Sequence, residues 1–148
     1  LMFITSMFLG FDKFKLFKTG NKRKVDYKMK KLPRTELEIM KFIWSAKNKV
    51  STKEVANHME NVLEWKLSTT SKTLSRLVKK DFLATERIGK QSYFTPIVEE
   101  NDYLKFETRD FFNYLHGKSL KSIISTLEES DEITDEDLDE LEKWIRNR

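Results

Sequence analysis

The residues best able to do chemistry lie between Ser68 and Lys80. At 3.6 residues per helical turn, Ser68, Thr69, Ser71, Lys72, Ser75, Arg76 and Lys79 fall opposite Leu74, Leu77 and Val78 and form one polar face. Ammonium and guanidinium groups meet phosphates, and short hydroxyls allow a close approach to base edges. No Asp or Glu interrupts the run from Ser68 to Lys80, whereas an ordinary solvated helix mixes both signs. The face is therefore expected to meet a polyanion, against the plainer reading of a polar surface. Ser51 and Thr52 open an upstream helix whose free N–H groups and positive end could hold a phosphate, although such residues also cap helices purely for stability. Arg87 and Lys90, with Gln91, sit at a hairpin tip and could reach a phosphate, or could simply aid solubility. Trp65 is expected to pack under the turn rather than to make a contact.

Other chemistries are poorly served. The chain has no Cys, which excludes disulfides, cysteine nucleophiles, thiolate metal sites and iron–sulfur clusters. His58 and His116 are far apart and have no neighbouring nucleophile or ligand cluster. The acidic run Asp131–Glu142 lacks the central Gly and the spacing of a calcium loop, and reads as a solvated helix. An enzyme is the weakest reading, and no cofactor, metal or small-molecule substrate is expected.

These residues need elements to position them. Thr35 with Glu38 reads as a capping box for a first helix over about 36–47, with Leu37, Met40, Ile43 and Trp44 inward. Ser51 with Glu54 opens a second helix, whose expected buried stripe is Val55, Ala56, Met59, Val62 and Leu63. Ser68 is the expected cap of a third helix ending near Lys80, with Thr70, Thr73, Leu74, Leu77 and Val78 inward. Phe82–Ile88 and Gln91–Thr95 flank Gly89-Lys90 as a β-hairpin closed by Pro96. Helices are then expected over 99–116, 119–129 and 135–146, the last opened by Thr134 with Asp137.

The fold class is thus mainly α with a small β-hairpin: a winged helix-turn-helix followed by a three-helix C-terminal region. In such a fold the third helix enters the DNA major groove and the hairpin touches the backbone. The expected division is a winged-helix DNA-binding domain over 29–98 and a helical domain over 99–148. Residues 1–28, ahead of Met29, are expected to be a poorly ordered or non-native N-terminal extension. The alternative there is a basic amphipathic membrane anchor, with Phe8, Phe11, Phe14 and Phe17 beside Lys13, Lys15 and Lys18.

At 148 residues the chain suits one ordinary domain, or a small domain with a helical appendage. Its net +4 conceals a split: residues 1–100 carry 21 basic and 11 acidic residues, and residues 101–148 carry 7 and 13. The basic part suits a polyanion, and the acidic part suits protein contacts or solvation. No run of about eighteen apolar residues is present, so no membrane-spanning helix is expected. The start lacks a secretory pattern, and a cytoplasmic location is expected.

Trp65–Leu83, WKLSTTSKTLSRLVKKDFL, resembles the third helix of the penicillinase-repressor (BlaI/MecI) family, approximately W-x-P-x-T-[VI]-x-T-L-x-x-R-L-x-x-K-G-[FL]. Trp65, Thr69, Arg76, Leu77, Lys80 and Leu83 or its neighbour Phe82 fall on family positions. Glu36-Leu37-Glu38-Ile39-Met40 with Ile43-Trp44 looks like the family's first helix, and the resemblance covers about residues 34–148. Departures are Leu67 for Pro, Thr70 for an aliphatic residue, Lys72 for Thr, Thr73 for Leu and Asp81 for Gly. They bear on operator preference rather than on architecture.

The resemblance implies a dimeric repressor of β-lactamase or penicillin-binding-protein genes, with a palindromic double-stranded DNA operator and a second copy of itself as partners. It makes the three-helix C-terminal region, 99–148, the dimerisation domain, with Tyr103, Phe106, Phe111, Leu115, Ile123, Leu127, Leu141 and Ile145 as implied dimerisation residues, within an apolar supply that also includes Leu104, Phe112, Leu120, Ile124, Ile133 and Leu138. It also implies release when a membrane-bound sensor protease, triggered by a β-lactam, leads to cleavage at an Asn-Phe bond. The aligned pair here is Asp110-Phe111, so either the site persists with a changed first residue or release takes another route. The copper-responsive relatives carry a Cys-x-Cys tail, so that chemistry is excluded. The competing functions are a winged-helix protein-interaction module and a ligand-responsive regulator of other genes.

Overall fold

A computed structural model describes residues 29–148. The expected extension over residues 1–28, and its membrane-anchor alternative, lie outside the described residues. In chain order the elements are α1 (Arg34–Ser45), β1 (Val50–Ser51), α2 (Thr52–Leu63), α3 (Leu67–Lys79), β2 (Leu83–Ile88), β3 (Gln91–Pro96), α4 (Glu100–Asp110), a π-helical turn (Phe111–Leu115), α5 (Leu120–Glu129) and α6 (Asp135–Arg146). The chain divides into two compact units, one ending at Tyr103 and the other running Leu104–Arg148.

In the first unit α1 starts behind Pro33, whose φ of −55° already suits a helix, and Leu37 N donates to Pro33 O at 3.0 Å. Thr35 therefore lies inside the helix and caps nothing, which corrects the capping box expected there. The buried face is Glu36, Ile39, Met40 and Ile43, while Leu37 and Trp44 are only half-buried. α2 opens on the expected capping box: the Ser51 side chain accepts from Glu54 N, and the Glu54 carboxylate accepts from Ser51 N. Its buried residues are Val55, Ala56 and Met59. Val62 and Leu63 are exposed, because the core ends before the helix does.

α3 begins at Leu67, and its N-cap Lys66 offers no side-chain bond, so Ser68 is in the first turn rather than at the cap. Thr70, Thr73, Leu74 and Leu77 are buried as expected, and Val78 is half-buried. The helix stops where Asp81 adopts a left-handed φ of 61°, with Phe82 N reaching back to Leu77 O at 3.0 Å. Phe82, expected to begin a strand, is instead a buried bend residue.

β2 and β3 pair antiparallel from Leu83↔Pro96 to Ile88↔Gln91 across the loop Gly89-Lys90. Gly89 supplies the φ of +62° that so tight a connection needs. β1 joins β3 through Val50↔Phe94 and Ser51↔Tyr93, giving the sheet order β1-β3-β2. Three helices and this sheet enclose a core of Ile39, Met40, Ile43, Val55, Met59, Leu74, Leu77, Leu83 and Phe94.

Tyr103 completes that core. It is 3% exposed, its hydroxyl accepts from Leu32 N at 2.9 Å, and its ring packs on Trp44 and edge-on against Phe82. Trp44 Nε1 in turn donates to Val98 O at 2.8 Å. The first unit therefore extends to Tyr103, past the boundary expected at residue 98.

In the second unit the helix expected to run unbroken to residue 116 changes to π geometry at Phe111, with His116 N bonded to Phe111 O at 3.2 Å. Ser119 caps α5 by accepting from Ser122 N at 3.1 Å. Thr134 and Asp137 cap α6 reciprocally, as expected. No residue from 104 to 148 is buried.

Candidate nucleic-acid interface

On α3 the inward set Thr70, Thr73, Leu74 and Leu77 fixes the helix's rotation, so Ser68, Thr69, Lys72, Ser75, Arg76 and Lys79 are exposed, with Ser71 half-buried. Among the described residues Lys72 and Lys79 have no acidic partner. The Ser75 hydroxyl donates back to Ser71 O at 3.0 Å, so only its lone pairs remain for an outside donor. With no side-chain cap and no acidic residue in the first turn, the amino end of α3 keeps its partial positive charge and unbonded N–H groups. This end can attract an anion while the flanking Ser68 and Thr69 hydroxyls lie exposed beside it.

The amino end of α2 differs. Ser51 is buried, its hydroxyl donates to Glu54 Oε2 at 2.8 Å, and the Glu54 carboxylate already occupies the place an incoming phosphate would take. The Ser51 N–H and then its hydroxyl hold the Glu54 carboxyl below its ordinary value. The expected phosphate contact by Ser51 is corrected on these grounds. Thr52 is half-buried, and its hydroxyl lies 3.5 Å from Ser92 O.

At the hairpin, Arg87 and Lys90 are exposed, and Arg87 Nε reaches Gly89 O at 3.4 Å. The neighbouring Glu86 is ion-paired with Lys49, whose ammonium also sits 5.7 Å from the Tyr93 ring centroid. That pairing leaves the tip with a cationic balance. Lys49 was not anticipated, because its partner lies across the sheet and far along the sequence.

Glu36 and Lys80 form a pair beside this face that the sequence reading did not contain. The Glu36 side chain is 4% exposed and receives Lys80 Nζ at 2.6 Å, with Arg76 Nε at 3.8 Å. Arg76 Nη2 donates to Thr73 Oγ1 at 3.0 Å, and Thr73 Oγ1 donates to Thr69 O at 2.9 Å. Glu36 stood in the first-helix motif, but its burial could not be read there. His58 stacks on Phe42 with ring centroids 4.2 Å apart, tying α2 to α1. Trp65 is half-buried at the turn before α3.

In the second unit, Phe111, Leu115, Leu127 and Ile145 are exposed, and Phe106, Ile123 and Leu141 are half-buried. Tyr103, assigned to the same surface from sequence, belongs to the first unit's core and is withdrawn from it. Tyr114 and Trp144 are exposed aromatics that the sequence-based set omitted; for Trp144 the i, i+3 spacing from Leu141 was the available signal. Asp110 and Phe111 are both exposed, at the junction of α4 and the π turn. Among the described residues no helix is long and apolar enough to cross a membrane, and no three His, Asp or Glu side chains cluster to hold a metal.

Residues 32–147 match the family described as penicillinase repressor. The chain is similar to the penicillinase repressor of Bacillus licheniformis, with 32% identity over 116 residues, spanning 76% of this chain and 90% of that protein. It is also similar to the methicillin resistance regulatory protein MecI of Staphylococcus aureus strain N315, with 23% identity over 125 residues, 84% of this chain and 100% of that one. A solution structure of the DNA binding domain of the repressor BlaI aligns with a TM-score of 0.47 and 32% identity, over 51% of this chain and 90% of that one.

Proposed function

The chain belongs to the penicillinase-repressor family, and from that membership we propose that it is a cytoplasmic, dimeric transcriptional repressor of β-lactamase or penicillin-binding-protein genes. Two copies place their α3 helices in major grooves of a palindromic operator and block transcription by occlusion. The observation that carries this reading is the α3 face: Ser68, Thr69, Lys72, Ser75, Arg76 and Lys79 all open to solvent, with an uncapped positive end. Lys72 and Lys79 meet phosphate or base edges, and Arg87 and Lys90 touch the backbone beside them.

The second unit supplies the dimer. Among the described residues its apolar side chains on α4, α5 and α6 have no buried core, and a second copy gives them one. Release follows β-lactam sensing by a membrane-bound protease, with the exposed Asp110–Phe111 bond as the point of cleavage.

Footprinting and gel-shift titration on DNA upstream of the chain's own gene test the reading. The expected result is protection of two half-sites about 10 base pairs, or a multiple, apart. Equal affinity for that DNA and for random duplex would overturn it.

A further inference from the structure

Glu36 is the one buried carboxylate among the described residues, and it belongs to no cap. It sits in the first turn of α1, yet it faces two cations at the carboxy end of α3: Lys80 Nζ, on the C-cap residue, at 2.6 Å and Arg76 Nε at 3.8 Å. Removing one partner of a buried ion pair is far more costly than removing one partner of an exposed pair, so Lys80 is bound to this duty more tightly than a surface lysine would be. Arg76 is held twice, by Glu36 and by its bond to Thr73 Oγ1, although its side chain remains 58% exposed. Among the described residues the cations of α3 and its C-cap thus fall into two classes, Lys72 and Lys79 without an acidic partner, and Lys80 and Arg76 engaged.

We propose that Glu36 is a positioning residue of the DNA-binding face, which withholds Lys80 from the phosphates and fixes the direction of Arg76. The inference rests on the DNA-binding reading above and deepens it. A cation free to reach any phosphate adds affinity for every sequence, because counterion release is blind to bases. Engaging Lys80 removes that indiscriminate contribution. Fixing Arg76 restricts the poses in which its guanidinium meets DNA. Glu36 therefore raises the ratio of operator to random-sequence affinity without touching DNA.

The test is the salt dependence of binding to random duplex and to operator, measured on the full chain for wild type, Lys79→Gln, Lys80→Gln and Glu36→Gln. Each phosphate contact contributes about 0.9 to the slope of log affinity against log salt. Lys79→Gln should lower the random-duplex slope by about that amount per protomer, whereas Lys80→Gln should leave it unchanged. Glu36→Gln should steepen the slope by about 0.9 per protomer and reduce the operator-to-random ratio roughly tenfold, the discrimination of about one base contact. If Glu36→Gln does not fold, Lys79→Gln and Lys80→Gln still decide, since a slope lost on Lys80→Gln overturns the proposal. Unchanged slope and ratio in folded Glu36→Gln also overturn it. Wild type without DNA affinity would sink the functional reading and this inference together, whereas a failing Lys80 or Glu36 arm beside a binding wild type sinks this inference alone.

Discussion

Among the described residues the first unit buries whole side chains from every helix and strand, whereas the second, from Leu104 onward, buries none. Both contain amphipathic helices opened by a reciprocal capping box, α2 in one and α6 in the other, so local propensity does not separate them. What separates them is tertiary closure. In the first unit three helices, a sheet and Tyr103 surround one core. In the second, α5 and α6 present Leu120, Leu127, Trp144 and Ile145 to solvent. Secondary structure alone does not make a stable unit, because an uncovered apolar face gains nothing from burial. The first unit should therefore be stable as a single chain, and the second only against a partner.

The sharpest way to break this contrast is a core truncation in the first unit. Ile39→Ala, at a fully buried position on α1, should cost roughly 2–5 kcal/mol of unfolding free energy. Denaturant unfolding should show this loss equally at every protein concentration. A loss that varied with concentration would mean that the first unit also depends on a partner. In the second unit Leu127→Asp should instead leave the first unit's unfolding transition in place and abolish self-association. Operator affinity should then fall by roughly 100-fold, the loss expected when two linked contacts become one. Sedimentation velocity and gel shift at matched concentrations measure the two effects.

How much of this could be read from sequence depended on the distance between partners. The capping boxes at Ser51 and Thr134 were legible because each closes within three residues. The box expected at Thr35 was not real, because Pro33 sets the helix start two residues earlier and moves Thr35 inside. The outward face of α3 was legible because Leu74 and Leu77 fix its rotation. The two-residue β1 was too short for any alternation to show. Glu36 was illegible as a site residue, since its partner Lys80 lies 44 residues away and an acidic residue on a helix normally faces water. Tyr103 was misassigned because periodicity reports that a side chain is apolar-facing, not which of two surfaces it meets.

A finer probe stays inside the first unit, where single atoms can be weighed. Thr70 and Thr73 are both fully buried on α3, but among the described residues Thr73 Oγ1 has two partners and Thr70 Oγ1 has none. Thr70→Val keeps the shape and removes an unpaired hydroxyl, so it should stabilise by about 1 kcal/mol. Thr73→Val should destabilise by about the same amount. Thermal unfolding of the two variants, measured side by side, checks the opposite signs, and the same sign in both would show that the unpaired hydroxyl costs nothing.

The smallest expected effect compares one device in both units. Glu54 and Asp137 each accept from an N-cap N–H and then from its hydroxyl, Ser51 in one case and Thr134 in the other, and both carboxyls are held below their ordinary values. A carboxyl whose value is lowered by folding binds its proton more weakly in the folded than in the unfolded chain. Its contribution is complete above the ordinary carboxylate value and is lost as the pH falls through the lowered one. Acidification should therefore loosen the first turns of both α2 and α6 within the acid window, each over the range set by its own carboxyl. The consequences should differ, because Val55 and Ala56 pin the start of α2 to a core, whereas no residue of α6 is buried. Carbon-detected NMR across that window should show greater loss of helical carbon shifts at Glu136 and Leu138 than at Lys53 and Val55. Equal loss at both ends would mean that burial contributes nothing to holding α2 once its cap is gone, and the contrast between the units would fail at its most local point.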